Sequence, residues 1–212
     1  MSILFFLPVL FLLFLYPSVH NYTPLEVVGH DVHELDAFET IDGEPVQFKN
    51  QLTVLGILSY NPAEQSTAAL NLKELIYEKF KGFKKFQIIL IAPNEASKAL
   101  TELKSELYSY SDLRFWHFVT GDIKDIKLLQ QSLLTSAKDD LSIFNQVYII
   151  DKNLDQRGRF DDRNKKELKL DMAPYSLFSY DCTEVSDLKN KMSEDLRILF
   201  TEYRQKRKGT FE

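Results

Sequence analysis

Residues 56–80, GILSYNPAEQSTAALNLKELIYEKF, decide how this chain folds. They continue an apolar run, LTVLGILS at 52–59, of the kind found in a central strand buried on both faces. Asn61-Pro62 breaks the run. From Glu64 onward, Ala68, Leu72, Leu75, Ile76 and Phe80 recur at spacings of three and four, which predicts an amphipathic helix with Gly82 placed to end it. The segment Asn61-Pro62-Ala63-Glu64-Gln65 therefore sits at the mouth of a helix, where backbone amides lack intrahelical partners. Residue types at that mouth decide what chemistry the loop can perform.

Working outward, the same alternation repeats. Strand FQIILIA (86–92) precedes a helix NEASKALTELKSELYSY capped by Asn94. Strand LRFWHFV (113–119) precedes helix DIKDIKLLQQSLLTSA, and strand QVYIID (146–151) follows. Strands alternating with helices of this length predict an α/β fold with a central, mainly parallel sheet and flanking helices. Residues 21–48 read as an N-terminal hairpin turning at Asp42-Gly43. Beyond Asp151 come a turn, a short hairpin strand at 159–160, a polar excursion at 161–171, and a last helix from Thr183 to about Lys208. Val185, Leu188, Met192, Leu196, Leu199 and Phe200 form its core-facing stripe.

The 212 residues suffice for one such domain with a full core. A net charge of −5 argues against nucleic-acid binding, which needs a basic surface. Seven scattered glycines form no phosphate-cradling loop, so no nucleotide cofactor is expected. The one cysteine, Cys182, has no intrachain disulfide partner and reads as a bystander thiol in a helix-start loop. Residues 3–16 are uniformly apolar, short for a spanning helix, and suit a signal-peptide core or a minimal anchor. The expected organisation is a signal peptide or membrane anchor at 1–20 and a single domain at 21–212, exported and either periplasmic, secreted or membrane-held.

The order of elements resembles a thioredoxin-like domain with an inserted βα unit, and within that superfamily the chain is similar to the Sco-type (SenC-like) copper chaperones. Three stretches carry the likeness. LSYNPAEQ follows the first central strand with Asn61 and Gln65 at the spacing of the Sco cysteines and Pro62 between them. FWHFVTGDIKDI matches an aromatic strand ending in Thr-Gly, and YIIDKNLDQRG matches the late strand and turn. No proline lies between Pro93 and Pro174, so the cis-proline of ordinary thioredoxins has no counterpart. The resemblance spans roughly residues 35–203. It implies a copper site of two cysteines and a histidine, yet Asn61 and Gln65 replace the cysteines, and Ser142 to Gln146 supply no histidine.

Copper(I) needs soft thiolates and disulfide exchange needs a thiolate nucleophile; carboxamides provide neither. Asn61 reads as a turn or capping residue, and Glu64 suits the helix macrodipole. His30 and His33 lie three apart in extended chain and project to opposite faces, which argues against a metal site. His117 reads as a core-edge or surface histidine. Asp151, Asn153, Asp155 and Asp162 imitate a calcium loop, but Gln156 stands where glycine is required, so a plain turn is expected. The run QRGRFDDRNKKE places Arg157, Arg159 and Arg163 near the sheet edge, as a solvated hairpin with surface ion pairs or as a partner-docking patch. The basic tail Arg204–Lys208 suits a helix C-terminus and, for an anchored protein, an anionic membrane surface. The sequon Asn21-Tyr22-Thr23 matters only if the source glycosylates exported proteins. These readings lead to a non-catalytic binding or assembly module with an envelope protein partner; a copper chaperone or thiol oxidoreductase of respiratory oxidase assembly is the alternative.

Overall fold

The computed structural model describes residues 23–109, 112–139 and 142–208, together with Phe11. The leader expected at 1–20 and the first two residues of the sequon lie outside the described residues. No helix among the described residues is long and apolar enough to cross a membrane.

Among the described residues, eight strands form one sheet: β1 (Glu26–Gly29), β2 (Glu39–Thr40), β3 (Leu52–Ile57), β4 (Phe86–Pro93), β5 (Trp116–Gly121), β6 (Gln146–Ile150), β7 (Gln156–Gly158) and β8 (Tyr180–Asp181). Their order is β1-β7-β6-β3-β4-β5-β2, with β8 against the first half of β6. The alternation of β3 puts Val54 in one core and Leu55 in another, and β4 and β6 do the same with Leu90 and Ile91, Ile149 and Ile150. A period of two in strands buried along their whole length therefore serves two layers at once.

One layer holds helix α1 (62–80), helix α2 (94–108) and helix α5 (187–208); the other holds helix α3 (Ile123–Gln131) and the segment around Val32, Leu35 and Phe48. A short helix α4 (Lys165–Lys169) lies in the excursion after β7, closed by a capping box in which Asn164 and Glu167 exchange hydrogen bonds. Two helices are not uniform. Helix α1 opens with a 3-10 turn at Pro62–Gln65 and passes through a π segment at Lys73–Tyr77, and α5 opens with a π segment at Asp187–Met192 packed against it. The wider π turn carries Lys73 inward, where its Nζ meets Glu74 and Glu78 at 2.6 and 3.6 Å.

Four expectations are corrected. The sheet is mixed: β3, β4 and β5 are parallel, whereas β6, β7, β1, β2 and β8 join antiparallel. Residues 132–145 lead the chain from α3 into β6 running against β3, a direction that hydrophobic periodicity does not encode. Residues 21–48 form no hairpin, because β1 pairs β7 and β2 pairs β5 at opposite edges. The turn at Asp42-Gly43 does form, with Gly43 at φ +73° and its amide donating to Thr40. Asn94 does not cap α2, since its side-chain amide donates to Asp122 Oδ1 over 2.7 Å. Val185 is exposed, while Leu188, Met192, Leu196 and Leu199 close the core as expected.

Candidate functional site

The loop after β3 is closed by its own amides. Gln65 is 7% exposed, and its Oε1 accepts from the Ser59 amide at 3.2 Å and the Ser59 hydroxyl at 2.9 Å. Ser59 Oγ accepts in turn from the Asn61 amide at 3.1 Å, and Asn61 Nδ2 donates to Glu64 Oε1 at 3.0 Å. Pro62 is buried beneath, and Tyr60 stands outward. Asn61 is thus a turn residue; its side chain caps no helical amide, because Glu64 holds it. Asn61 and Gln65 thus form a hydrogen-bonded strut with Ser59 and Glu64.

Beneath the strut lies a cavity of about 20 Å³, room for one water, bordered by Gly56, Gln65, Ala68, Asn145, Gln146 and Cys182. The fold therefore brings the first loop together with the residues just ahead of β6, and with the one thiol. Gly56 lets Leu90 and Val147 pack closely over it, since a Cβ there would lie 2.7 Å from Leu90 Cδ2 and 3.4 Å from Val147 Cγ1. Cys182 is 2% exposed, not loop-exposed as its polar flanks suggest, and burial pushes its thiol well above the ordinary range. Such a thiol is protonated and inert as a nucleophile. Its neighbourhood to Gln65 is invisible in the sequence, where they stand far apart; the short β8 that delivers it offers only two residues of pattern. Replacing Gln65 with alanine leaves the Ser59 amide without its acceptor and enlarges the void, at an expected cost of about 1–3 kcal/mol in urea unfolding.

The remaining candidate ligands disperse. His30 Nδ1 pairs with Asp155 at 2.8 Å, His33 is exposed, and no group of three His, Cys, Asp or Glu side chains is arranged to hold a metal among the described residues. His117 is half-buried on β5, where desolvation holds its imidazole low against the opposing pull of Glu44 and Asp42. Asp151 Oδ1 accepts from the amides of Asn153 and Asp155, the plain turn expected, and Asp162 lies in another network.

That other network overturns the arginine patch. Arg157 is 5% exposed and spans two buried carboxylates, Asp151 at 2.9 Å and Glu202 at 3.0 Å. Arg159 joins Asp162 at 2.8 Å and the wholly buried Asp195, which also accepts from the Tyr180 hydroxyl at 2.7 Å. Arg163 chelates Asp161 and donates to the Met172 carbonyl at 2.6 Å. Arg157 and Arg159 are engaged in internal structure, whereas Arg163 keeps a surface ion pair with Asp161, as a solvated hairpin would. Beside its exposed Lys165, Lys166 and Lys169, the excursion also exposes large apolar side chains: Phe160, Leu168, Leu170 and Met172.

With this geometry known, comparison with solved structures is decisive for the fold. BsSco, a member of the Sco family of cytochrome c oxidase assembly proteins, superimposes with a TM-score of 0.53 at 15% identity, covering 82% of this chain and 94% of that one. The fold is that of the Sco proteins. An electron transfer protein from Aquifex aeolicus VF5 gives 0.54 at 15% identity over 80% of this chain and 96% of its own. A SCO1/SenC family lipoprotein from Bacillus anthracis gives 0.51 at 15% identity, over 86% and 98%. No protein-family pattern matches the sequence, and no curated protein is detectably similar to it. On this Sco-type, thioredoxin-like scaffold, a chain with a single cysteine lacks the paired redox thiols.

Proposed function

We propose that this protein is a non-catalytic binding or assembly module, a domain of residues 21–212 held at the cell envelope by the apolar segment before it. The observation that carries the reading is the strut: Gln65, which the resemblance sets at a cysteine position, is hydrogen-bonded to Ser59 on the inside of the loop and offers no thiolate to a metal or a disulfide. The names of the structural relatives, a member of a family of cytochrome c oxidase assembly proteins and a lipoprotein, support a role in assembly at a membrane. The exposed apolar residues of the excursion supply the surface for a protein partner, and Arg163 supports that surface by tying residue 161 to residue 172. A copper chaperone or thiol oxidoreductase in oxidase assembly is the second reading; it would have to recruit Cys182, the one thiol of the chain.

Photo-crosslinking in the source cells tests the module. A crosslinker at Leu170 is expected to trap one discrete partner, which a crosslinker at exposed Glu95 does not trap and which Leu168→Asp abolishes. Equal labelling at Leu170 and Glu95 contradicts the assignment.

A further inference from the structure

At the end of the sheet opposite the strut, Lys84, Lys85, Lys152, Arg204 and Arg207 converge on a cleft of about 350 Å³. The chain as a whole is acidic, so this concentration of cations is local. Among the described residues, no carboxylate lines the cleft. Asp151 and Glu202, each next in sequence to a lining residue, are bound to Arg157, and Glu202 takes Lys206 as well, at 2.7 Å. The cleft floor is aromatic, with Phe83 stacked on Phe200 at 3.9 Å between centroids and Lys152 Nζ 4.1 Å from the centre of the Tyr203 ring. Partial burial, together with the charges of Lys85 and Arg207, holds the Lys152 amine below its ordinary range, against the opposing pull of Asp151.

A second observation says what faces this cleft. Arg157 holds Glu202, the residue next to Tyr203, and through the same nitrogen also holds the carbonyl of Leu25. The start of the described domain is therefore pinned beside the cleft wall. Upstream of it in sequence stands the apolar run 3–16, joined by residues 17–24, which reach at most about 28 Å when extended. A bilayer that receives the run lies within that distance of the pinned Leu25, within reach of the cleft.

We infer that this cleft docks the phosphate headgroups of anionic lipids, seating the domain on the membrane through Lys84, Lys85, Lys152, Arg204 and Arg207. The inference rests on the envelope reading above. Cations near an anionic leaflet gain roughly equal increments of binding each, which are lost with salt.

The test uses the full chain mixed with vesicles of phosphatidylcholine, or of phosphatidylcholine with roughly one third phosphatidylglycerol. Tryptic cleavage after Arg204 and Arg207 is expected to slow at least about fivefold on the anionic vesicles and to recover in high salt. Cleavage after Lys124 serves as the internal control. The variant Lys85→Gln/Lys152→Gln/Arg207→Gln is expected to lose the slowing at Arg204 while keeping the control rate. Equal rates on both vesicles, or slowing that survives in the variant, overturn the inference. Protection by soluble polyglutamate without protection by phosphatidylglycerol also overturns it, and assigns the cleft to an acidic protein. Flotation reports the anchor separately: a chain that floats only on anionic vesicles removes the anchor and supports the cleft, and one that floats on neither removes both.

Discussion

Replacing Arg157 with methionine is expected to lower the unfolding free energy by about 3–5 kcal/mol. The reason is the company it leaves. Asp151 and Glu202 are both buried against the guanidinium, and the Leu25 carbonyl accepts from it too. Removing the cation takes a buried partner from both carboxylates and from the carbonyl, leaving Asp151 to the Asn153 and Asp155 amides and Glu202 to Lys206, and much of the desolvation penalty appears. The triple variant Arg157→Met/Asp151→Asn/Glu202→Gln should recover most of the loss, because its amides carry no charge and the carboxamide at position 151 retains an Oδ1 to accept from the amides of Asn153 and Asp155. Urea unfolding of the three proteins measures both steps. A single variant within about 1 kcal/mol of wild type would mean that the triad is solvated.

The second large effect is a pH dependence located at Asp195. Burial raises its carboxyl to about 6, against the attraction of Arg159 and the hydrogen bond from Tyr180, which lower it. In the unfolded chain an aspartate titrates near about 3.9. Between these values the folded state binds the extra proton, so this group contributes stability below the unfolded value and that stability is lost as pH rises through about 6. The expected loss is about 2–3 kcal/mol across the window. Asp195→Asn should remove it, so the difference in unfolding free energy between wild type and variant should move in favour of the variant from pH 4 to pH 7. Asp161, which the Arg163 hydrogen bonds hold low, contributes in the opposite direction but equally to both proteins. Parallel pH profiles for wild type and variant would place Asp195 in contact with solvent.

The parts of this fold that the sequence reveals are those in which a residue's role follows from its near neighbours. The apolar runs of β3, β4 and β6 mark central strands because only burial on both faces tolerates them, and Asn61-Pro62 marks the loop because proline ends the strand. Strand direction is different: β6 is as apolar as β4 but runs against β3, and nothing in its five residues says so. Edge partners are equally silent, which is why β1 and β2 look like one hairpin and lie at opposite edges. Arg157 shows the same limit in the site. In QRGRFDD it reads as a surface charge, and its burial follows from Glu202, 45 positions later, and from Leu25, 132 positions earlier. The loss of thiolates at positions 61 and 65 was legible; that Gln65 turns inward to Ser59, over a cavity shared with Cys182, depends on contacts across the fold.

The amide-closed loop after β3 offers copper no thiolate, and copper binding tests that reading. The full chain in detergent is titrated with Cu(I) against a chromophoric competitor, with Asn61→Cys/Gln65→Cys titrated alongside. Wild type is expected to show no stoichiometric tight binding, and the double variant, with thiolates at the mouth of α1, a gain of binding. Stoichiometric tight binding by wild type, lost on Cys182→Ser, would contradict that reading.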